Sequence, residues 1–74
     1  MERVIELATQ ALSTGKPSAP LLLARARAHE ALGRLSDAVA DYGLALALSP
    51  VNTAAQEGLR QAQALRRKRS EERS

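Results

Sequence analysis

Apolar residues in this 74-residue chain recur at spacings of three and four in four separate blocks, and glycine or proline separates one block from the next. This spacing places apolar side chains on one face of an α-helix. The first predicted helix runs from about Glu2 to Ser13 and stops before Gly15. The second runs from Ala19 to Leu32, with Ser18 as its N-cap and Gly33 at its C-terminal end.

The third and fourth blocks are bounded in the same way. Ser36 is predicted to cap the third helix, and Pro50 ends it. Asn52 is predicted to cap the fourth helix, whose apolar pattern extends to Leu65. Beyond that point the sequence is basic and polar, and we expect the last turns to fray.

The apolar residues are mostly alanine and leucine, with no Phe or Trp and a single Tyr. Small side chains favour helices that pack closely. Connections of only a few residues make neighbouring helices antiparallel. The sequence therefore predicts an all-α fold of about four helices, either a closed bundle or an open stack of helical hairpins. A core of this size is marginal, and a partner or self-association would help it.

Several functional classes lack the residues they need. The chain has no Cys, one His and no apolar run of the ~20 residues that would span a bilayer. No paired carboxylates, phosphate-binding glycine loop or nucleophile–base pair is present. We expect a non-enzymatic chain without a metal or cofactor, in the cytoplasm or nucleus and not in a membrane. His29 is interpreted as a packing residue.

The formal net charge of +3 comes from the C-terminal end. Residues 1–65 hold six basic and six acidic side chains, whereas residues 66–74 hold five basic and two acidic ones. The basic run Arg66, Arg67, Lys68 and Arg69 has no interleaved aromatic residues for base stacking. It is interpreted first as a solvated helix end. A nuclear-import signal or acidic-partner patch, a kinase site and nucleic-acid contact are the alternatives.

Residues 19–52 resemble one complete tetratricopeptide repeat (TPR), a family whose unit is about 34 residues of paired helices. The residues of the first helix and turn that match its pattern are Leu22, Ala26, His29 and Gly33, and those of the second helix are Ala38, Tyr42, Ala45 and Pro50. Small residues at three of these places permit close helix approach, while Leu22 and Tyr42 fill the space between the helices.

The resemblance implies how the rest of the chain is organised. Residues 1–14 resemble the second helix of a preceding repeat, with Val4, Ala8 and Ala11 in the matching places. Residues 53–74 resemble a following or capping helix with a basic, polar tail. The fold implied is a fragment of a TPR solenoid.

TPR arrays bind partners in a concave groove lined by first helices, so the resemblance implies a protein-binding scaffold or adaptor. The implied groove residues are Leu23, Arg27, Glu30 and Ala31 on the second helix and Glu57 and Gln61 on the fourth. Structural capping, or dimerisation through the outer face of helix 1, is the alternative function. Contact with nucleic acid through the tail is a third and weaker hypothesis.

The sequence is most similar to the co-chaperone branch, through Leu22–Ala26 and the pair Asp41 and Tyr42. This similarity points to a chaperone-related partner. That branch binds a terminal carboxylate through Lys, Asn and Arg side chains, but the matching positions here are Ala24, Ala54 and Gly58. We therefore expect no intact carboxylate clamp. Arg25 is typical of the branch, and we predict that it pairs with an acidic side chain and has a structural role.

Overall fold

The computed structural model describes residues 2–15 and 18–73, and all regular structure within them is helical. The four helices are α1 (Glu2–Thr14), α2 (Ala19–Ala31), α3 (Leu35–Leu48) and α4 (Thr53–Arg73). The helices pack against one another in chain order. The predicted all-α fold of four helices is confirmed.

Two small clusters of buried side chains form the core between α2, α3 and α4. One contains Ala26, Ala38, Tyr42 and Ala62, and the other contains Leu22, Ala45 and Ala55. Within them, residues that lie later in α3 contact residues that lie earlier in α2 and α4. The α2–α3 and α3–α4 pairs are therefore antiparallel, and α2 and α4 run in the same direction on α3.

The chain repeats its own hydrogen bonds at the helix ends. Gly15 N–H donates to Ala11 O at 3.0 Å, and Ser49 N–H donates to Ala45 O at 2.9 Å. The Ser18 hydroxyl accepts from Leu21 N–H at 3.3 Å, and the Asn52 side-chain oxygen accepts from Ala55 N–H at 3.1 Å. Residues 15 and 49, and likewise 18 and 52, are 34 positions apart. The α1–α2 and α3–α4 pairs are thus two copies of one local arrangement.

The turn between α2 and α3 depends on Gly33, which has a φ of +80°. Its N–H donates to Glu30 O at 3.0 Å, and Arg34 N–H donates to His29 O at 2.8 Å. These two bonds satisfy helix-end carbonyls in a Schellman motif, which needs a left-handed residue at this position. The predicted role of Gly33 is confirmed.

Two predictions at helix ends are wrong. Ser36 does not cap α3, because the helix already includes Leu35 and the N-cap residue is Arg34, whose side chain makes no capping hydrogen bond. The fourth helix does not end in a frayed segment after Leu65 but is helical to Arg73. No Gly or Pro follows Gly58, and Arg, Lys, Gln and Glu are all good helix formers, so nothing in the sequence stops the helix.

Replacing Ala38 by Leu should destabilise the fold by about 1 to 3 kcal/mol, because Ala38 is fully buried where three helices meet and added methylenes force overpacking. Urea denaturation followed by circular dichroism measures the change. Ala40→Leu, on the exposed side of the same helix, is the matched control and should change stability little. Equal stability of the two variants would contradict the packing described here.

Candidate partner-binding groove

The groove predicted from the sequence lies between α2 and α4, which are parallel and contact each other beside α3. Arg27 and Gln61 are 34 positions apart and so occupy equivalent places on the two helices. Both are exposed, as are Ala31 and Glu57. The parallel helices therefore present a row of polar and small side chains on one side of the molecule.

The other two predicted groove residues are less accessible. Glu30 is half-buried. Leu23 is also half-buried and packs against both core clusters, so it supports the groove from beneath. The structure thus places all six predicted residues on two adjacent helices, with four of them exposed.

Tyr42 of α3 reaches between α2 and α4 and forms the base of this groove. Its ring is buried and lies against Gly58, where an added Cβ would overlap the ring. Burial raises the pKa of the phenol, the negative charge of Glu30 raises it further, and Arg27 opposes the shift. The hydroxyl of Tyr42 is therefore coupled electrostatically to two groove residues.

The residues that carried the family resemblance occupy structural positions. Leu22, Ala26, Ala38, Tyr42 and Ala45 are buried in the core. His29 is also buried, which agrees with its predicted packing role. Pro50 lies in the turn that follows α3.

Arg25 and Asp41 form a bidentate ion pair on the opposite side of α2. Arg25 Nε and Nη2 donate to the two Asp41 oxygens at 2.8 and 2.7 Å, and Nη1 donates to Thr9 Oγ1 at 3.2 Å. The hydrogen bond with Asp41 raises the pKa of Arg25, burial opposes the shift, and the negative charges of Asp41 and Asp37 add to it. The arginine therefore links three helices, as expected for a structural role.

His29 lies beside the same carboxylate, with Nε2 at 3.6 Å from Asp41 Oδ2 and Nδ1 at 4.0 Å from Asp37 Oδ2. Its Nδ1 atom is buried and has no hydrogen-bond partner in the structure. Within the described ranges, no three His, Cys, Asp or Glu residues are placed to hold a metal ion.

The basic run lies on the C-terminal part of α4. Arg66, Arg67 and Lys68 are exposed along α4. Arg69 is exposed too, but its Nη1 donates to the Gly33 carbonyl oxygen at 3.3 Å and so extends the contact of α4 with the α2–α3 turn.

Sequence reasoning missed three features of the structure. It did not identify Asp41 as the partner of Arg25, or the fit of Tyr42 against Gly58. It also missed an apolar cavity of about 340 Å³ between α1 and α3, where Leu22, Leu44 and Leu48 meet Thr9 and Ser13. Asp41 lies three residues after Ala38 and therefore on the same, buried face of α3. This position was the sequence signal from which the ion pair could have been predicted.

Comparisons with protein-family models, with curated proteins and with solved structures give no match for this chain. Among the helices of the described residues, none has the length and apolarity to cross a membrane. The fold and the groove geometry are therefore the basis for a functional proposal.

Replacing Gly58 by Ala should destabilise the fold, although Gly→Ala inside a helix normally stabilises by about 0.5 to 1 kcal/mol. The added methyl would overlap the Tyr42 ring, and overpacking costs about 1 to 3 kcal/mol. Gly43→Ala is the matched control, because nothing lies within 4 Å of the added methyl, and it should stabilise. Urea denaturation measures the free energy of unfolding of both variants. A stabilising effect of Gly58→Ala would contradict the prediction.

The phenol of Tyr42 should ionise above its ordinary pKa of 10.0 in the folded protein. Because the pKa of Tyr42 is higher in the folded state, the neutral phenol contributes fully to the stability of the fold below about pH 10. This contribution is lost as the pH rises through the folded-state pKa. Near-ultraviolet absorbance reports this directly, since the chain has one Tyr and no Trp. The midpoint of this absorbance titration should fall to the ordinary pKa of tyrosine in concentrated urea, where the chain is unfolded. Identical midpoints in the two conditions would show that the phenol is not buried.

Proposed function

We propose that this chain is a protein-binding module of the tetratricopeptide type, in which the groove between α2 and α4 receives a peptide or helix from a partner. The observation that carries the proposal is the parallel pair of helices with Arg27 and Gln61 exposed at equivalent positions. The 34-residue repetition of helix-end hydrogen bonds supports it, because this is the length of one TPR unit.

The groove suits a polar or mixed-charge partner segment. Arg27 and Glu57 offer opposite charges on the two walls, and Gln61 can both donate and accept hydrogen bonds. Rigid helices hold these groups in place before binding, which reduces the entropy lost on association. Opposite charges on facing walls favour a partner with complementary charges and fix its direction in the groove.

The groove offers little to a terminal carboxylate. Ala24 and Ala54 have no polar side-chain atom, and the Tyr42 ring fills the space next to Gly58. A carboxylate that loses its hydration needs several charge-assisted hydrogen bonds in return. An internal peptide segment or a helix is therefore the partner that we favour.

A second function, closing the end of a helical array, is favoured by the outer face of α4. In α2 the residues that pack towards α3 include Leu22, Ala26 and His29. The residues 34 positions later are Gln56, Arg60 and Gln63, and all three are exposed. A polar outer face of this kind is required of a terminal capping element. The two functions are compatible, because the groove and this face are different sides of α4.

Selection of binding peptides from a displayed library against the folded chain tests the groove. Arg27→Glu and Glu57→Lys should each weaken the selected peptides at least tenfold, which corresponds to about 1.4 kcal/mol. Ala40→Glu, on the exposed side of α3, is the control and should change affinity less than twofold. Titration by fluorescence anisotropy measures each affinity. Peptides that are insensitive to both groove variants would refute the proposal.

A further inference from the structure

One side of α1 carries apolar side chains that no helix of the described residues covers. Val4 is 41% exposed and Leu7 is 58% exposed, although Ala8 on the inner side of the same helix is 4% exposed. Ala11 continues the row and is half-buried. Among the described helices, α1 packs only against α2.

The internal repeat indicates what kind of element fits this side of α1. Val4 and Leu7 lie 34 positions before Ala38 and Asp41, which are 0% and 4% exposed. Those two residues of α3 are buried because the antiparallel helix α2 packs on them. The equivalent side of α1 therefore has the form of a site for one antiparallel helix.

The chemistry of the site restricts that helix. In the complete repeat, Arg25 of α2 is paired with the carboxylate of Asp41. On α1 the equivalent residue is Leu7, so an arginine opposite it would be buried without its partner, at a large energetic cost. The covering helix must place an apolar side chain there. The outer face of α4 does not fit, because exposed Arg60 stands at the place of the buried Ala26 and would bring a guanidinium against Val4.

The helix α1 itself meets the requirement. Val4, Leu7 and Ala11 are spaced by three and four residues, which is the spacing of a coiled-coil seam. Leu7 is close to the middle of the helix, which spans Glu2–Thr14. When two such helices pair antiparallel about Leu7, Leu7 meets Leu7 of the second copy, and Val4 lies within one residue's rise, about 1.5 Å along the helix, of the smaller Ala11. The row is thus complementary to itself under two-fold symmetry.

We propose that α1 docks antiparallel on α1 of a second copy of this chain, about a two-fold axis near Leu7. This pairing is independent of the groove between α2 and α4. It is closed under two-fold symmetry, because both copies use the same row of α1, whereas the polar face of α4 disfavours head-to-tail growth. Each copy contributes one helix of about 20 Å, so the interface is smaller than a standard one and the dimer is weak.

Single-cysteine variants test the geometry cleanly, since the natural chain contains no Cys. Under mild oxidation Leu7→Cys should form a disulfide-linked dimer. A mixture of Val4→Cys and Ala11→Cys should cross-link to each other more than either does to itself. Leu44→Cys, which replaces a leucine that is 52% exposed on α3, is the matched control and should stay monomeric. Efficient self-linking of Val4→Cys would indicate parallel helices and overturn the proposal.

Sedimentation over a range of protein concentrations tests the same pairing without cross-linking. The unchanged chain should show a reversible monomer–dimer equilibrium, and Leu7→Glu should weaken the dimer at least tenfold. Leu44→Glu should change the dissociation constant of the dimer less than twofold. Circular dichroism confirms that both variants are folded. A monomer at every concentration, larger open assemblies, or a dimer that only Leu44→Glu disrupts would each refute the proposal.

Discussion

The ring of Tyr42 against Gly58 sets the distance between helices on which the rest of the structure depends. Tyr42 is the one Tyr in a chain without Phe or Trp, and the other core side chains are mainly Ala and Leu. Around it, Ala26, Ala38 and Ala62 let the three helices approach closely. Gly58 leaves the space that the ring fills, and the hydroxyl ends near two charged residues of the groove. Core packing and groove shape thus share one side chain.

A second interaction determines how α1 joins this core. The ion pair of Arg25 with Asp41 is largely withdrawn from solvent, and the same guanidinium reaches Thr9 of α1. Removing charges from water is costly, and close bidentate hydrogen bonds offset that cost only when the geometry is good. We therefore expect the pair to specify the register of α2 on α3 more than it adds to stability, and the bond to Thr9 to extend that register to α1.

The two ends of the helical stack differ in character. On α4 the positions that correspond to Leu22, Ala26 and His29 of α2 are polar, whereas α1 keeps an apolar row towards solvent. Exposed apolar surface is common on proteins. The row on α1 is different, because its residues correspond to residues of α3 that another helix of the same chain buries. Because the two ends differ, the self-association proposed for α1 is limited to a pair.

The sequence by itself determined the number of helices, most of their ends and the small-residue core. Spacings of three and four, Gly33, Pro50 and the caps Ser18 and Asn52 act locally, so they can be recognised without knowing the fold. The candidate groove residues could be proposed only through the family resemblance. Tertiary structure decided that Arg25 binds Asp41 and that Tyr42 fills the space at Gly58. The two pairings join residues on different helices, and their distances depend on packing that no local pattern encodes.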